Sequence, residues 1–134
     1  MDTPAPLLAS ALVALGGAIG SLLRYQVGRL MTHLIGVQAV TTFPWATLTV
    51  NVVGSLVMGL LAGTLARFGQ GGEHWRLFVG VGVLGGFTTF SAFSLELFML
   101  IDRHQGALAF TYAAVSVLAG LSAMFIGVIL MRLA

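Results

Sequence analysis

Gly85-Gly86-Phe87-Thr88-Thr89-Phe90-Ser91-Ala92-Phe93-Ser94 decides how the rest of this chain is read. It lies inside an apolar segment covering about residues 75–101. A bilayer crossing takes ~20 helical residues, so that segment is long enough to span. A lipid-facing helix would carry Leu, Ile and Val at its centre. Here two glycines and four hydroxyls fall within ten residues. Each Gly costs a helix roughly 1 kcal/mol against Ala. A helix broken in hydrocarbon leaves carbonyls unpartnered, which is tolerated only where protein or a polar cavity surrounds them. One reading is therefore a break that aims carbonyls and hydroxyls at something buried. The other is close packing through Gly, with each hydroxyl bonded back to its own helix.

Outward from this stretch the chain is equally apolar. It has 134 residues, 58% hydrophobic and 7% charged, with a mean hydropathy of +1.04. Soluble domains carry about 25% charged residues, so this is an integral membrane protein. All six cations are arginine, against four acids. So few charges give no basis for a nucleic-acid partner. There is no cysteine, which excludes disulfides and zinc-thiolate sites. Gly occurs 18 times, mostly within apolar segments, a mark of tightly packed membrane helices.

Four apolar segments give helices at about 7–31, 45–67, 75–101 and 106–131, in one domain spanning 1–134. The first has no positive region ahead of it and no evident cleavage site, so it reads as a membrane helix rather than a signal peptide. Gly16, Gly20, Arg24 and Gly28 recur four apart and share a face. Arg24 either snorkels to the interface or carries a charge inward. Residues 32–43 read as a connection holding His33 and Gly36. Pro44 and Trp45 open the second helix. Along it Thr47, Asn51, Ser55, Gly59 and Gly63 form another stripe. Asn51 is its costliest member in hydrocarbon. It serves either as an interhelical hydrogen bond or as a donor in a polar path. Residues 69–74 form a Gly-rich loop. Tyr112, Ser116 and Gly120 stripe the fourth helix. His33, His74 and His104 all fall in connections, and no catalytic triad, phosphate loop or His pair appears, so no enzyme is expected.

Alternating crossings at ~1.5 Å per residue place Arg24, Asn51, Glu96 and Tyr112 toward one membrane face, with residues 85–89 near the midplane. The polar ladder is half a path. Arg67, Arg76 and Arg132 flank one side, against Arg29, Arg103 and, if it belongs there, Arg24. The positive-inside rule needs a clear imbalance to fix orientation, and this chain has almost none. A chain inserting both ways can pair antiparallel and complete the path. The expected fold is thus all-α, with four transmembrane helices per chain, the third broken at mid-membrane, in an antiparallel homodimer.

These same residues carry a resemblance. Residues 85–96, GGFTTFSAFSLE, resemble the signature of the Fluc/CrcB family of fluoride channels. Gly20-Ser21-Leu22-Leu23-Arg24-Tyr25 and the run from Thr47 through Asn51 to Ser55 resemble its first- and second-helix motifs. Length and layout match as well. The resemblance implies a dual-topology homodimer in a bacterial inner membrane, giving passive efflux of fluoride from the cytoplasm. It implies a structural sodium ion at the dimer centre, held by backbone carbonyls of Gly85 and Thr88. It implies a fluoride path along Asn51, Phe90, Phe93, Tyr112 and Ser116, with Ser91 and Thr47 beside it. Arg24 and Glu96 would stand at the vestibule. Gly120, one turn past Ser116, stands where some relatives have a hydroxyl, which interrupts the hydroxyl track that the resemblance implies. The alternative is a small four-helix multidrug transporter coupled to protons. That mechanism wants a membrane-embedded carboxylate, and Glu96 lies late in its segment. Whether Arg24 pairs with Glu96 is left open by the sequence.

Overall fold

The computed structural model describes residues 4–68 and 72–134, and these are all helix or short connections. Helix α1 is Pro6–Thr42, α2 is Trp45–Phe68, and α3 covers residues 73–87. Helix α4 is Phe90–Asp102 and α5 is Gly106–Leu133. Four stretches are long and apolar enough to cross a membrane: Pro6–Thr42, Trp45–Arg67, Glu73–Asp102 and Gly106–Leu133. Leu, Ile and Phe side chains point outward along most of their length, as lipid-facing surface should. The protein is a multi-pass membrane protein. Part of the Gly-rich loop, residues 69–71, lies outside the described residues.

The first helix departs from the sequence reading. The expected connection at 32–43 is helical as far as Thr42, and His33 is inside the helix. The polar Thr32-His33 pair looked like an exit from the membrane. Thr32 instead donates its hydroxyl to the Gly28 carbonyl at 3.0 Å, which satisfies it within the helix. The real punctuation is Gly36, with φ 83° and ψ 160°. That conformation suits only glycine, so the chain kinks there and resumes a short helical stretch. Its end is tied across the molecule, where Arg103 Nη1 donates to the Thr41 carbonyl at 3.3 Å. The first and third connections therefore lie at the same end of the bundle.

Glycines determine how closely the helices pack. A Cβ at Gly16 would fall 2.9 Å from the Gly82 Cα, and one at Gly86 would fall 2.5 Å from the Gly17 carbonyl oxygen. So α1 and α3 meet backbone to backbone. On the other side, Gly59 faces Met124 and Gly127, and Gly63 faces Met131, which seats α2 on α5. That pairing and the one between α1 and α3 are the two most extensive in the chain. Within α3, residues Arg76–Leu84 wind with wide turns; the Gly85 N–H reaches back to the Gly80 carbonyl. Such wide turns are rare and cluster at functional sites.

Candidate functional site

The paired glycines are themselves helical: Gly85 has φ −63° and ψ −38°. The extended residues are the two threonines that follow. Thr88 has φ −82° and ψ 159°, and Thr89 has φ −153° and ψ 124°. In an unbroken helix the Thr89 N–H would bond the Gly85 carbonyl, and the Ala92 N–H would bond the Thr88 carbonyl. Both donors go elsewhere. The Thr89 N–H donates to Asn51 Oδ1 at 2.9 Å, and Asn51 Nδ2 donates to the Thr89 carbonyl at 3.2 Å. The Ala92 N–H donates to Thr89 Oγ1 at 3.2 Å, so Thr89 caps α4.

The four hydroxyls divide between the two sequence readings. Thr88 and Ser94 bond back to the carbonyls of Leu84 and Phe90, at 2.8 and 2.9 Å, as the packing reading has it. Thr89 and Ser91 do not; their hydroxyl oxygens lie 3.3 Å apart at the interruption. Gly86 likewise serves close packing against α1.

Glu96 is held by two hydroxyls from other helices. Thr47 donates to Oε1 at 2.6 Å and Tyr112 donates to Oε2 at 2.7 Å. No ion pair joins Arg24 to Glu96 among the described residues, whereas Arg76 pairs with Glu73 at 2.7 Å. Tyr112 is fully buried. Its ring centroid lies 5.4 Å from that of Phe43, edge-on, and 5.1 Å from that of Phe93. Replacing Tyr112 with Phe keeps those ring contacts and removes one donor from Glu96. An acceptor left unpaired in a part-buried site costs about 1–3 kcal/mol. Thermal unfolding in detergent should therefore show Tyr112→Phe clearly destabilised, and an unchanged midpoint would mean that the bond carries nothing.

Two grooves flank the interruption. The first, about 530 Å³, is lined by Arg24, Thr47, Thr89 and Ser91 among others. The second, about 350 Å³, is lined by Asn51, Ser55, Thr89, Phe90, Phe93 and Ser116 among others. Thr89 borders both. The Phe90 and Phe93 rings are 5.8 Å apart and tilted by 41°. Ser116 Oγ is buried beside the second groove and has no hydrogen-bond partner among the described residues. Gly120 lies one turn along; a Cβ there would meet Ser55 Oγ at 3.6 Å, an ordinary contact. Tyr112 and Glu96 line neither groove. Thr89 did not stand out in the sequence as a site residue. The signal for it was available, since a helix restarting at Phe90 needs a cap and threonine is a preferred one.

Four apolar crossings, with two grooves that bring a guanidinium, an amide and hydroxyls to a helical interruption, define a small multi-pass membrane protein of the transporting kind. A family model described as "CrcB-like protein, Camphor Resistance (CrcB)" matches residues 11–128. A protein of Erythrobacter litoralis named fluoride-specific ion channel FluC is 53% identical over 134 residues, covering 99% of this chain and 98% of that one. A FluC of Novosphingobium aromaticivorans is 59% identical over 124 residues, covering 92% and 96%. The chain belongs to the CrcB family.

Proposed function

We propose that this protein is a fluoride-selective channel that lets fluoride leave the cytoplasm passively. The observation that carries the reading is the second groove. Its phenyl rings, amide and hydroxyls lie in a chain that aligns almost end to end with proteins named for fluoride conduction. Fluoride is small and strongly hydrated, and burying a bare charge is very costly unless hydrogen bonds replace its water. The Ser116 hydroxyl, free of any partner among the described residues, is a ready donor. The edge of a phenyl ring is electropositive and suits an anion at Phe90 and Phe93. Arg24 in the first groove offers a fixed positive charge at the entrance. Asn51 has one amide hydrogen on Thr89 and a second to offer. Tyr112 acts behind the path, through Glu96, and Thr47, which lines the first groove, donates to the same carboxylate.

The working unit is an antiparallel homodimer in the bacterial inner membrane. One chain provides open grooves rather than a closed lumen, and Phe90, 79% exposed, has its ring free for a second copy. The interruption at Thr88 and Thr89 lies at mid-membrane in this arrangement. The carbonyls of Gly85 and Thr88 are relieved of their helical donors, which leaves their oxygens open to a hard cation. Those carbonyls, from both chains, would hold a sodium ion at the dimer centre.

The purified protein in liposomes should release fluoride, read with a fluoride electrode, while chloride efflux stays at the level of protein-free liposomes. Equal release of the two anions would defeat the selective-channel reading. A C-terminal reporter should be found on both sides of the inner membrane, and lysines added to one connection should bias it. A single orientation in the unmodified protein would rule out the antiparallel pair.

A further inference from the structure

We propose that Asn51 and the Thr89 hydroxyl are positioning groups for the cation site: each takes the N–H that would otherwise occupy one of its two carbonyls. This rests on the cation reading above and deepens it.

The geometry is specific on both counts. Asn51 uses its oxygen and its nitrogen on one residue, accepting from the Thr89 N–H at 2.9 Å and donating to the Thr89 carbonyl at 3.2 Å. That reproduces the paired exchange of an antiparallel β ladder, which requires an extended partner residue. Thr89, at φ −153° and ψ 124°, is extended. The same conformation is what an N-cap residue needs, so one backbone state serves both bonds. Helix α2 also makes room for the neighbouring residue. A Cβ at Gly54, three residues past Asn51, would collide with the Thr88 methyl. Asn51 and Gly54 thus form a template on α2 against which the two extended threonines rest. Without Asn51, the Thr89 N–H has the Gly85 carbonyl as its nearest helical partner. Without the Thr89 hydroxyl, the Ala92 N–H has that of Thr88. Either exchange puts an N–H on a carbonyl that the ion would use and draws it back toward the helix axis. Since Thr89 also borders both grooves, the ion path and the cation site share one residue.

The test is the thermal unfolding midpoint of the purified protein, measured in sodium and in the same concentration of N-methyl-D-glucamine. An ion bound only by the folded state raises the midpoint of the wild type in sodium. Thr89→Ser keeps the oxygen and should keep that increment. Thr89→Val keeps the shape, loses the oxygen and should lose the increment. Asn51→Ala should lose it as well. A role confined to general folding would lower the midpoint equally in both salts and leave the increment intact, and that result in Thr89→Val or Asn51→Ala overturns the assignment of that residue. Loss of the increment in Thr89→Ser overturns the role of the hydroxyl. Should Asn51→Ala fail to fold, the Thr89 pair decides alone. A wild type without any increment defeats the cation site itself, and this assignment falls with it.

Discussion

Gly20→Ala is expected to abolish the folded protein, whereas Gly28→Ala is expected to leave it near wild type. Both belong to the same stripe on α1, two turns apart, and by sequence they are equivalent. They differ in what a methyl group would meet. At Gly20 a Cβ would collide with the Val83 carbonyl oxygen and fall 2.8 Å from the Phe87 nitrogen. These are backbone atoms of α3 and cannot rotate aside. At Gly28 nothing lies within 4 Å. Overpacking against side chains costs about 1–3 kcal/mol. Against backbone the helices must separate, which also loses the contacts at Gly16 and Gly86. Because α3 leads directly into the interruption, displacing it would move Gly85 as well. Size-exclusion chromatography of the two variants, expressed in parallel, reads the difference. Similar monodisperse peaks from both would show that the α1–α3 contact is looser than its glycines imply.

That contrast marks how far the sequence carries. Periodicity revealed the four crossings, and the four-residue spacing of small residues revealed a stripe for close approach on each helix but not what it meets. Both are local properties of a helix. Depth along each helix was also legible: it grouped Arg29 with Arg103 on one side, and Arg103 meets Thr41 at that end. What could not be read was rotation about each axis. These helices are apolar on nearly every side, so no polar face announces which partner a side chain meets. Whether Glu96 pairs with Arg24 could not be read from the sequence; its oxygens go to Thr47 and Tyr112. Asn51 was weighed as a pore donor and as an interhelical bond, and its oxygen and one amide hydrogen make the second. The wide turns of α3 have no sequence signature, because Val, Leu and Gly accept them as readily as a regular helix. The run past Met31 was missed for a different reason. Thr32 and His33 are polar, but a helix leaving the membrane remains a helix when its hydroxyls bond its own carbonyls.

Phe90→Ile is expected to cut fluoride efflux on the order of tenfold or more while the protein stays folded. The structure makes this substitution a cleaner probe than its neighbour. Phe93 is partly buried and packs on Tyr112, with ring centroids 5.1 Å apart, so changing it disturbs the core around Leu100 and Ala109. Phe90 is 79% exposed, and its only ring contact among the described residues is with Phe93, at 5.8 Å. Removing its ring therefore costs the single chain little packing. If Phe90 were merely a lipid-facing side chain, isoleucine would serve as well and efflux would be unchanged. If its ring edge meets the ion, isoleucine supplies bulk without an electropositive edge. An aromatic edge interaction is worth about 0.5–1.5 kcal/mol where it has been measured between rings. A fluoride shed of most of its water has few substitutes, so the loss falls directly on the barrier, and 1.36 kcal/mol is already a factor of ten in rate. Phe93→Ile should reduce efflux too, but with a lowered unfolding midpoint that Phe90→Ile does not share. Efflux from liposomes, paired with chromatographic proof of an intact oligomer, separates these cases. Wild-type flux in Phe90→Ile would remove this ring from the ion path and leave Ser116 and Asn51 as its remaining donors.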